Sequence, residues 1–114
     1  MTENEIATVV VDAAFKIHKV LGPGLFESVY EAALDFELQK RGMRVNQQIG
    51  LPVHYESVRL ELGFRVDLIV EDKVIVEIKS IEAIAPVHKK QLLTYLRLMD
   101  LRLGLLINFN VELI

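Results

Sequence analysis

RVDLIVEDKVIVEIKS, Arg65 to Ser80, decides the fold, because it predicts a β-hairpin in the core of a sheet. Its valines and isoleucines are typical of buried strands, and the polar run at 71–73 is typical of the loop between them. Asp67, Glu77 and Lys79 interrupt this apolar pattern. Two carboxylates and an ammonium group in such a hydrophobic segment need a chemical explanation, since an unpaired buried charge is costly.

The register of this hairpin decides which of its charged side chains meet. A three-residue loop at 71–73 places Asp67 directly opposite Glu77, with Cβ atoms about 4.5–5.5 Å apart. Lys79 then shares their face, because alternate residues of a strand lie on the same side. A two-residue loop would place Asp67 opposite Val76 and separate the carboxylates. We predict the first register.

Two explanations fit an acidic pair at this place. In the structural explanation the strand ends are exposed and Lys79 simply pairs with Glu77. In the functional explanation a divalent cation binds between Asp67 and Glu77, because oxygen ligands suit magnesium or manganese. Apolar residues flank the pair on both faces, which disfavours plain solvation. We therefore expect a Mg²⁺ (or Mn²⁺) site.

The rest of the chain predicts three helices and further strands. Apolar residues at three- and four-residue spacing predict the helices, and short apolar runs between turn signals predict the strands. Helices are expected at about 5–21, 27–41 and 87–99, and strands at 44–49, 51–55, 58–62 and 102–108. The residues expected to face the core are Val29, Ala33, Leu34 and Phe36 in the second helix and Leu92, Leu93, Leu96 and Met99 in the third. This order of elements indicates one α/β domain over residues 1–114.

Composition narrows the function classes. The absence of cysteine excludes disulfides, thiolate zinc sites and cysteine nucleophiles. No signal-peptide pattern and no apolar run of roughly 18–20 residues is present, so we expect a cytoplasmic protein without membrane contact. The net charge of −3 argues against a broadly basic nucleic-acid surface. A mean hydropathy of +0.33 is high for a small soluble domain and indicates strands buried on both faces or a surface covered by another subunit. We expect a homodimer or larger homo-oligomer.

The start of the second helix carries a candidate third carboxylate. Glu27, Tyr30 and Glu31 lie on one side of this helix, just after a glycine turn. Glu27 could reach the metal, and we expect Tyr30 to contact nucleic acid. The alternative is an acidic first helical turn, which is favourable with the helix dipole.

The third helix carries candidate substrate-binding residues. His88, Gln91 and Tyr95 recur at three- and four-residue spacing and therefore share one stripe. This stripe could line a groove and hydrogen-bond phosphates. Nearby side chains could add positive charge: Lys89, Lys90 and Arg97. The alternative is an ordinary amphipathic surface helix. The sequence contains no phosphate-binding glycine loop, dinucleotide fingerprint or nucleophile elbow.

Together these residues resemble the PD-(D/E)XK nuclease superfamily, and within it the small GxxExxY proteins. The naming motif of those proteins stands here as GLFESVY, residues 24–30. Asp67 followed by Glu77-Ile78-Lys79 resembles the acidic core and its E-x-K segment. QLLTY, residues 91–95, is similar to the Q-x-x-x-Y signature of RecB-like nucleases. Val66 stands where the superfamily often has proline.

The resemblance implies a central mixed β-sheet flanked by α-helices, with Glu27, Asp67 and Glu77 converging at one edge. It also implies that the backbone carbonyl of Ile78 is a further metal ligand. The activity it implies is magnesium-dependent cleavage of phosphodiester bonds in DNA, with RNA as the second choice.

The resemblance also suggests roles for three polar side chains at this edge. Lys79 would position or deprotonate the attacking water, or stabilise the transition state. Gln91 and Tyr95 would orient that water, Lys79 or the phosphate backbone.

Two other classes of function compete with a nuclease. A catalytically inactive nucleic-acid-binding or assembly module that retains the fold is favoured by the pI of 5.6 and the short chain. The complete set of Glu27, Asp67, Glu77 and Lys79 favours an enzyme. A purely structural dimerisation domain would explain the apolar surface but would leave the buried charges without a purpose.

Overall fold

The computed structural model describes residues 1–112, apart from the side chains of residues 61 and 62. The elements are α1 Glu3–Leu21, α2 Glu27–Lys40, β1 Val45–Tyr55, β2 Val58–Val70, β3 Val74–Lys79, α3 Pro86–Met99 and β4 Leu103–Asn108. The strands form one four-stranded sheet in the order β1-β2-β3-β4. The β1–β2 and β2–β3 pairs are antiparallel and β3–β4 is parallel. This mixed sheet with flanking helices confirms the predicted fold class.

The helices cover the two faces of the sheet unequally. α1 and α2 pack on one face through a large cluster that includes Ile6, Val10, Leu34, Leu38, Leu68 and Val76. α3 packs on the other face through a smaller cluster: Val66, Ile69, Ile75, Leu92 and Tyr95. Within residues 1–112, no helix combines the length and the apolar character needed to cross a membrane.

The β2–β3 hairpin has the predicted three-residue loop. Val70 lies opposite Val74, and the pairing continues as far as Leu68 opposite Val76. Glu71 and Asp72 both adopt left-handed backbone angles, with φ of 54° and 56°. The next position along this register is Asp67 opposite Glu77, so the loop length determines that the two carboxylates meet.

The predicted break near residue 50 is wrong, because β1 runs through it, whereas the predicted break at residues 56–57 is the turn between β1 and β2. The register shifts between Leu51 and Val53, which places Pro52 at an irregularity of the ladder. Proline is tolerated there because it lacks the N–H that a regular ladder would use. Gly63 lies against this point: a Cβ atom at Gly63 would sit 1.8 Å from the Leu51 carbonyl oxygen. Only glycine fits such a close backbone approach.

Three apolar residues predicted to face the core are exposed instead. Val29, Phe36 and Leu93 are 41%, 68% and 64% exposed. The buried stripe of α2 is Tyr30, Leu34 and Leu38, so Leu34 is confirmed, while the stripe is rotated by about one residue from Val29, Ala33 and Phe36. Since a rotation of one position turns a helix by about 100°, the apolar composition of α2 alone did not fix its inward face.

Candidate active site

Asp67 lies where β2 and β3 stop pairing. The ladder ends at Leu68 and Val76, and the N–H of Ile78 donates to Asp67 Oδ2 at 2.8 Å instead of to a strand carbonyl. The side chain of Asp67 therefore replaces a backbone acceptor at the point where the strands separate. A polar side chain therefore lies between two strands of an otherwise apolar sheet.

Glu77 is buried beside Asp67. The residue is 5% exposed, and it is flanked in β3 by two residues of the α1–α2 core, Val76 and Ile78. Strand alternation therefore places its side chain on the α3 face. Burial, and then the neighbouring Asp67 carboxylate, raise the pKa of Glu77 to about 8. Glu77 Oε1 has no hydrogen-bond partner among the described residues.

Lys79 follows two residues later on the face of Glu77. Its charge lowers the pKa of Glu77, but less than burial and Asp67 raise it. Among the described side chains, Lys79 forms no ion pair with a carboxylate. The structural explanation, in which Lys79 simply pairs with Glu77, therefore does not hold within this part of the chain.

α3 brings Tyr95 to the same side of the sheet. Tyr95 is 3% exposed, and its ring lies against Phe64 with centroids 5.5 Å apart. Burial, and then the charges of Glu77 and Asp67, raise the pKa of Tyr95 to about 12. The phenol is thus a protonated hydrogen-bond donor near the two carboxylates. Gln91, one turn earlier, is half-buried.

Among the other candidate residues of α3, His88 caps the start of the helix and the basic residues are exposed. His88 Nδ1 accepts a hydrogen bond from the Ala85 N–H at 2.9 Å, which satisfies a free amide at the start of the helix. The three basic side chains predicted to add positive charge are exposed: Lys89, Lys90 and Arg97. In the predicted stripe of His88, Gln91 and Tyr95, Tyr95 is therefore buried against the sheet, while His88 and Gln91 are half-buried.

Glu27 lies at the start of α2 and contacts the end of β3. Its Oε1 accepts a hydrogen bond from the Ser80 N–H at 3.2 Å, while the Ser80 hydroxyl donates to the Leu25 carbonyl at 2.5 Å. These bonds connect the glycine turn before α2 to the strand that carries Glu77 and Lys79.

Tyr30 requires a correction, because it is fully buried and cannot present its ring to a nucleic acid in this structure. Its ring stacks on Phe109 with centroids 4.5 Å apart. Its hydroxyl donates to the Gly22 carbonyl at 2.5 Å and accepts from the Leu25 N–H at 3.2 Å. Tyr30 therefore supports the loop that precedes Glu27.

Two further residues lie near Asp67: Gln48 forms a hydrogen bond with it, and Glu31 is affected by its charge. Gln48 was not predicted from the sequence. Gln48 Nε2 donates to Glu31 Oε1 at 2.6 Å and to Asp67 Oδ1 at 3.4 Å. Burial, and then the charge of Asp67, raise the pKa of Glu31. Gln48 is an exposed residue of β1 and belongs to no recognisable motif, so no signal in the sequence distinguished it.

The residues present fit a divalent cation in part. Asp67 and Glu77 are adjacent, and the unpartnered buried Oε1 of Glu77 is the kind of oxygen that such an ion binds. Among the described residues, however, no group of three or more acidic, histidine or cysteine side chains is arranged to hold a metal ion. Glu27 is therefore not grouped with Asp67 and Glu77 in this structure, and its Oε1 accepts a hydrogen bond from the Ser80 N–H. The carbonyl of Ile78 stays a predicted ligand.

The comparison with protein families covers almost the whole chain. The family model described as the PD-(D/E)XK nuclease superfamily matches residues 4–114. The chain therefore belongs to the PD-(D/E)XK nuclease superfamily. No curated protein and no solved structure matches it.

Proposed function

We propose that this chain is a metal-dependent nuclease that hydrolyses phosphodiester bonds, with Asp67, Glu77 and Lys79 at its active centre. The observation that carries this proposal is the buried carboxyl of Glu77, which lies beside a second carboxylate and leaves one oxygen without a partner. A fold does not tolerate such a group without a reason, because burying an unsatisfied acid is unfavourable. Membership in the PD-(D/E)XK nuclease superfamily supports the same reaction class.

Asp67 and Glu77 are the residues that would hold the cation, Mg²⁺ or Mn²⁺. Bound there, a divalent ion would supply positive charge to the scissile phosphate. Asp67 is fixed for this task by the Ile78 N–H. Glu77 is kept free of competing hydrogen bonds at Oε1. Glu27 serves the site indirectly in this proposal, because its bond to Ser80 secures the end of the strand that carries Glu77 and Lys79.

Lys79, Gln91 and Tyr95 would act on the water and the phosphate. Lys79 adds a positive charge on the face of Glu77 and is not neutralised by an ion pair among the described side chains. Tyr95 keeps its proton and can donate a hydrogen bond, and Gln91 lies one turn before it. In the reaction, water adds to phosphorus and one P–O ester bond breaks, leaving a phosphate monoester and a free hydroxyl.

The proposed substrate is DNA, with RNA as the second choice. The exposed cations of α3 support nucleic-acid binding, since side chains of this type contact phosphates without reading sequence. They are Lys89, Lys90 and Arg97. His88 adds a half-buried ring whose Nδ1 is already engaged by Ala85. With a net charge of −3, this contact would be local to α3.

A cleavage assay with a matched pair of lysine variants tests the proposal. Wild type, Lys79→Ala and Lys73→Ala are incubated with single- and double-stranded DNA and RNA in Mg²⁺, Mn²⁺ or EDTA. Lys73 belongs to the same hairpin, but it is exposed and donates to the Met1 carbonyl, away from the site. We expect metal-dependent cleavage by wild type and Lys73→Ala, and none by a folded Lys79→Ala.

Two other outcomes would change the proposal. Cleavage by a folded Lys79→Ala variant would remove Lys79 from the mechanism. No cleavage by any variant, with nucleic acid still bound in a retention assay, would favour the catalytically inactive module that keeps the nuclease fold.

We also propose that the chain forms a homodimer or larger homo-oligomer. The outer groove between α1 and α2 supports this, because it exposes large apolar side chains. Val20 is 73% exposed and Phe36 is 68% exposed. Exposed apolar patches of this kind are typical of surfaces that bind another protein.

A further inference from the structure

A single amide nitrogen connects α2, β1 and β2 beside the proposed active centre. Gln48 Nε2 donates to Glu31 Oε1 at 2.6 Å and, over a longer distance of 3.4 Å, to Asp67 Oδ1. The other oxygen of Asp67 accepts from the Ile78 N–H at 2.8 Å. Both oxygens of Asp67 are therefore held, one by β3 and one by Gln48.

The backbone at Gln48 is unusual for a strand residue. Its φ of 51° is left-handed, a region that residues other than glycine seldom adopt. The flanking residues keep the β1–β2 register, with Gln47 opposite Leu68 and Ile49 opposite Val66. Gln48 thus departs from the strand conformation at the one position that faces Asp67.

We infer that Gln48 is a positioning residue for Asp67, and that Glu31 holds the Gln48 amide in place. The expected consequence is that the orientation of Asp67 determines how tightly a cation binds. This consequence rests on the proposed function. Partners that orient a metal ligand in this way change metal affinity about 10- to 100-fold when they are removed. Gln48 touches Asp67 through a hydrogen bond and has no direct part in the reaction.

The variant Gln48→Asn separates positioning from folding. Asparagine adopts the left-handed region more readily than glutamine, so the fold should be as stable as wild type or more stable. Its side chain is one methylene shorter and should fail to span the two carboxylates. Gln47→Asn is the matched control, because Gln47 is the exposed neighbour in β1 and forms no side-chain hydrogen bond within the described residues.

Two readouts other than cleavage test the inference. Isothermal calorimetry with Mn²⁺ should show affinity at least about tenfold weaker in Gln48→Asn than in wild type or Gln47→Asn. Hydrogen exchange in EDTA should be faster at the Ile78 amide, because its acceptor, Asp67, has lost one of its two restraints. The urea midpoint should not fall.

Two variants of Glu31 test the second half of the inference. Glu31→Ala removes the acceptor of the Gln48 amide, and it should speed exchange at Ile78 as Gln48→Asn does. Glu31→Gln keeps an acceptor oxygen at the same place, and it should leave the exchange rate near that of wild type. Equal exchange rates in both Glu31 variants would overturn the role assigned to Glu31.

The outcomes separate this inference from the proposed function. Wild-type Ile78 exchange and wild-type Mn²⁺ affinity in Gln48→Asn would overturn the positioning role while leaving the nuclease proposal intact. A lower urea midpoint with faster exchange throughout β2 and β3 would assign Gln48 a structural role and also overturn it. If wild type neither binds Mn²⁺ nor cleaves nucleic acid, the proposed function fails, and the Ile78 exchange in EDTA still decides the positioning claim.

Discussion

Glu77 is an acid whose protonation differs between the folded and the unfolded chain. Its pKa is raised from 4.5 to about 8 in the fold, first by burial and then by Asp67. Between these values the folded protein binds a proton that the unfolded chain has released. The free energy of unfolding in EDTA should therefore fall as the pH rises through this interval, by on the order of 1 kcal/mol per pH unit.

Urea unfolding in EDTA at several pH values between about 5 and 8 checks this expectation. Glu77→Gln should flatten the curve, because the titrating carboxyl is gone. Glu31 also has a raised pKa and contributes in the same direction, so the informative quantity is the difference between wild type and variant. Glu82→Gln, at an exposed carboxylate, is the control. An unchanged slope in Glu77→Gln would show that Glu77 is already ionised in the fold.

Asp67 offers a test of cation binding that does not require a substrate. Millimolar Mn²⁺ should raise the melting temperature of wild type, because a ligand that binds only the folded state stabilises it by mass action. Asp67→Asn keeps an oxygen for the Ile78 N–H but loses the charge, and we expect a much smaller rise. Melting curves with Mn²⁺ or EDTA measure this. If Mn²⁺ does not change the melting temperature of wild type, the proposed metal site loses its support.

At the scale of the element, the hydroxyl of Tyr30 connects two backbone groups of the turn before α2. Tyr30 joins the Gly22 carbonyl to the Leu25 N–H, and Tyr30→Phe would leave both backbone groups without that partner. We expect the free energy of unfolding to fall by about 1–3 kcal/mol. Nucleic-acid retention should be unchanged, because the ring is buried. Urea unfolding and a retention assay measure the two effects, and weaker retention at unchanged stability would restore Tyr30 as a substrate contact.

The sequence predicts elements better than it predicts how they face one another. Helix periodicity predicted the bounds of α1 and α3 closely. The three-residue loop predicted the register that places Asp67 opposite Glu77. The inward face of α2 was wrong at Phe36, because a helix with apolar residues on several sides can pack in more than one rotation. Gln48 could not be found, since its place in the site depends on a left-handed backbone angle that leaves no pattern in the chain.

At the scale of the whole molecule, the apolar groove between α1 and α2 should determine the oligomeric state. Phe36→Glu places a charge on this surface and should shift the mass measured by light scattering towards the monomer. Tyr55→Glu is the matched control, because Tyr55 is 66% exposed, close to the 68% of Phe36, and lies on the β1–β2 hairpin. A monomeric wild type, or equal masses for both variants, would contradict the proposed interface.

The long β1–β2 hairpin has a consequence for how the molecule opens. Residues 54–60, at its tip, are all exposed. Nearer the core, the two strands are held together by the close backbone contact between Gly63 and Leu51. The tip should therefore fray without the rest of the sheet, because local opening requires no loss of buried apolar contacts there. Chymotrypsin should nick the native chain first beside Tyr55. The two fragments should remain associated after the cut, since the pairing that holds Asp67 in place lies beyond it.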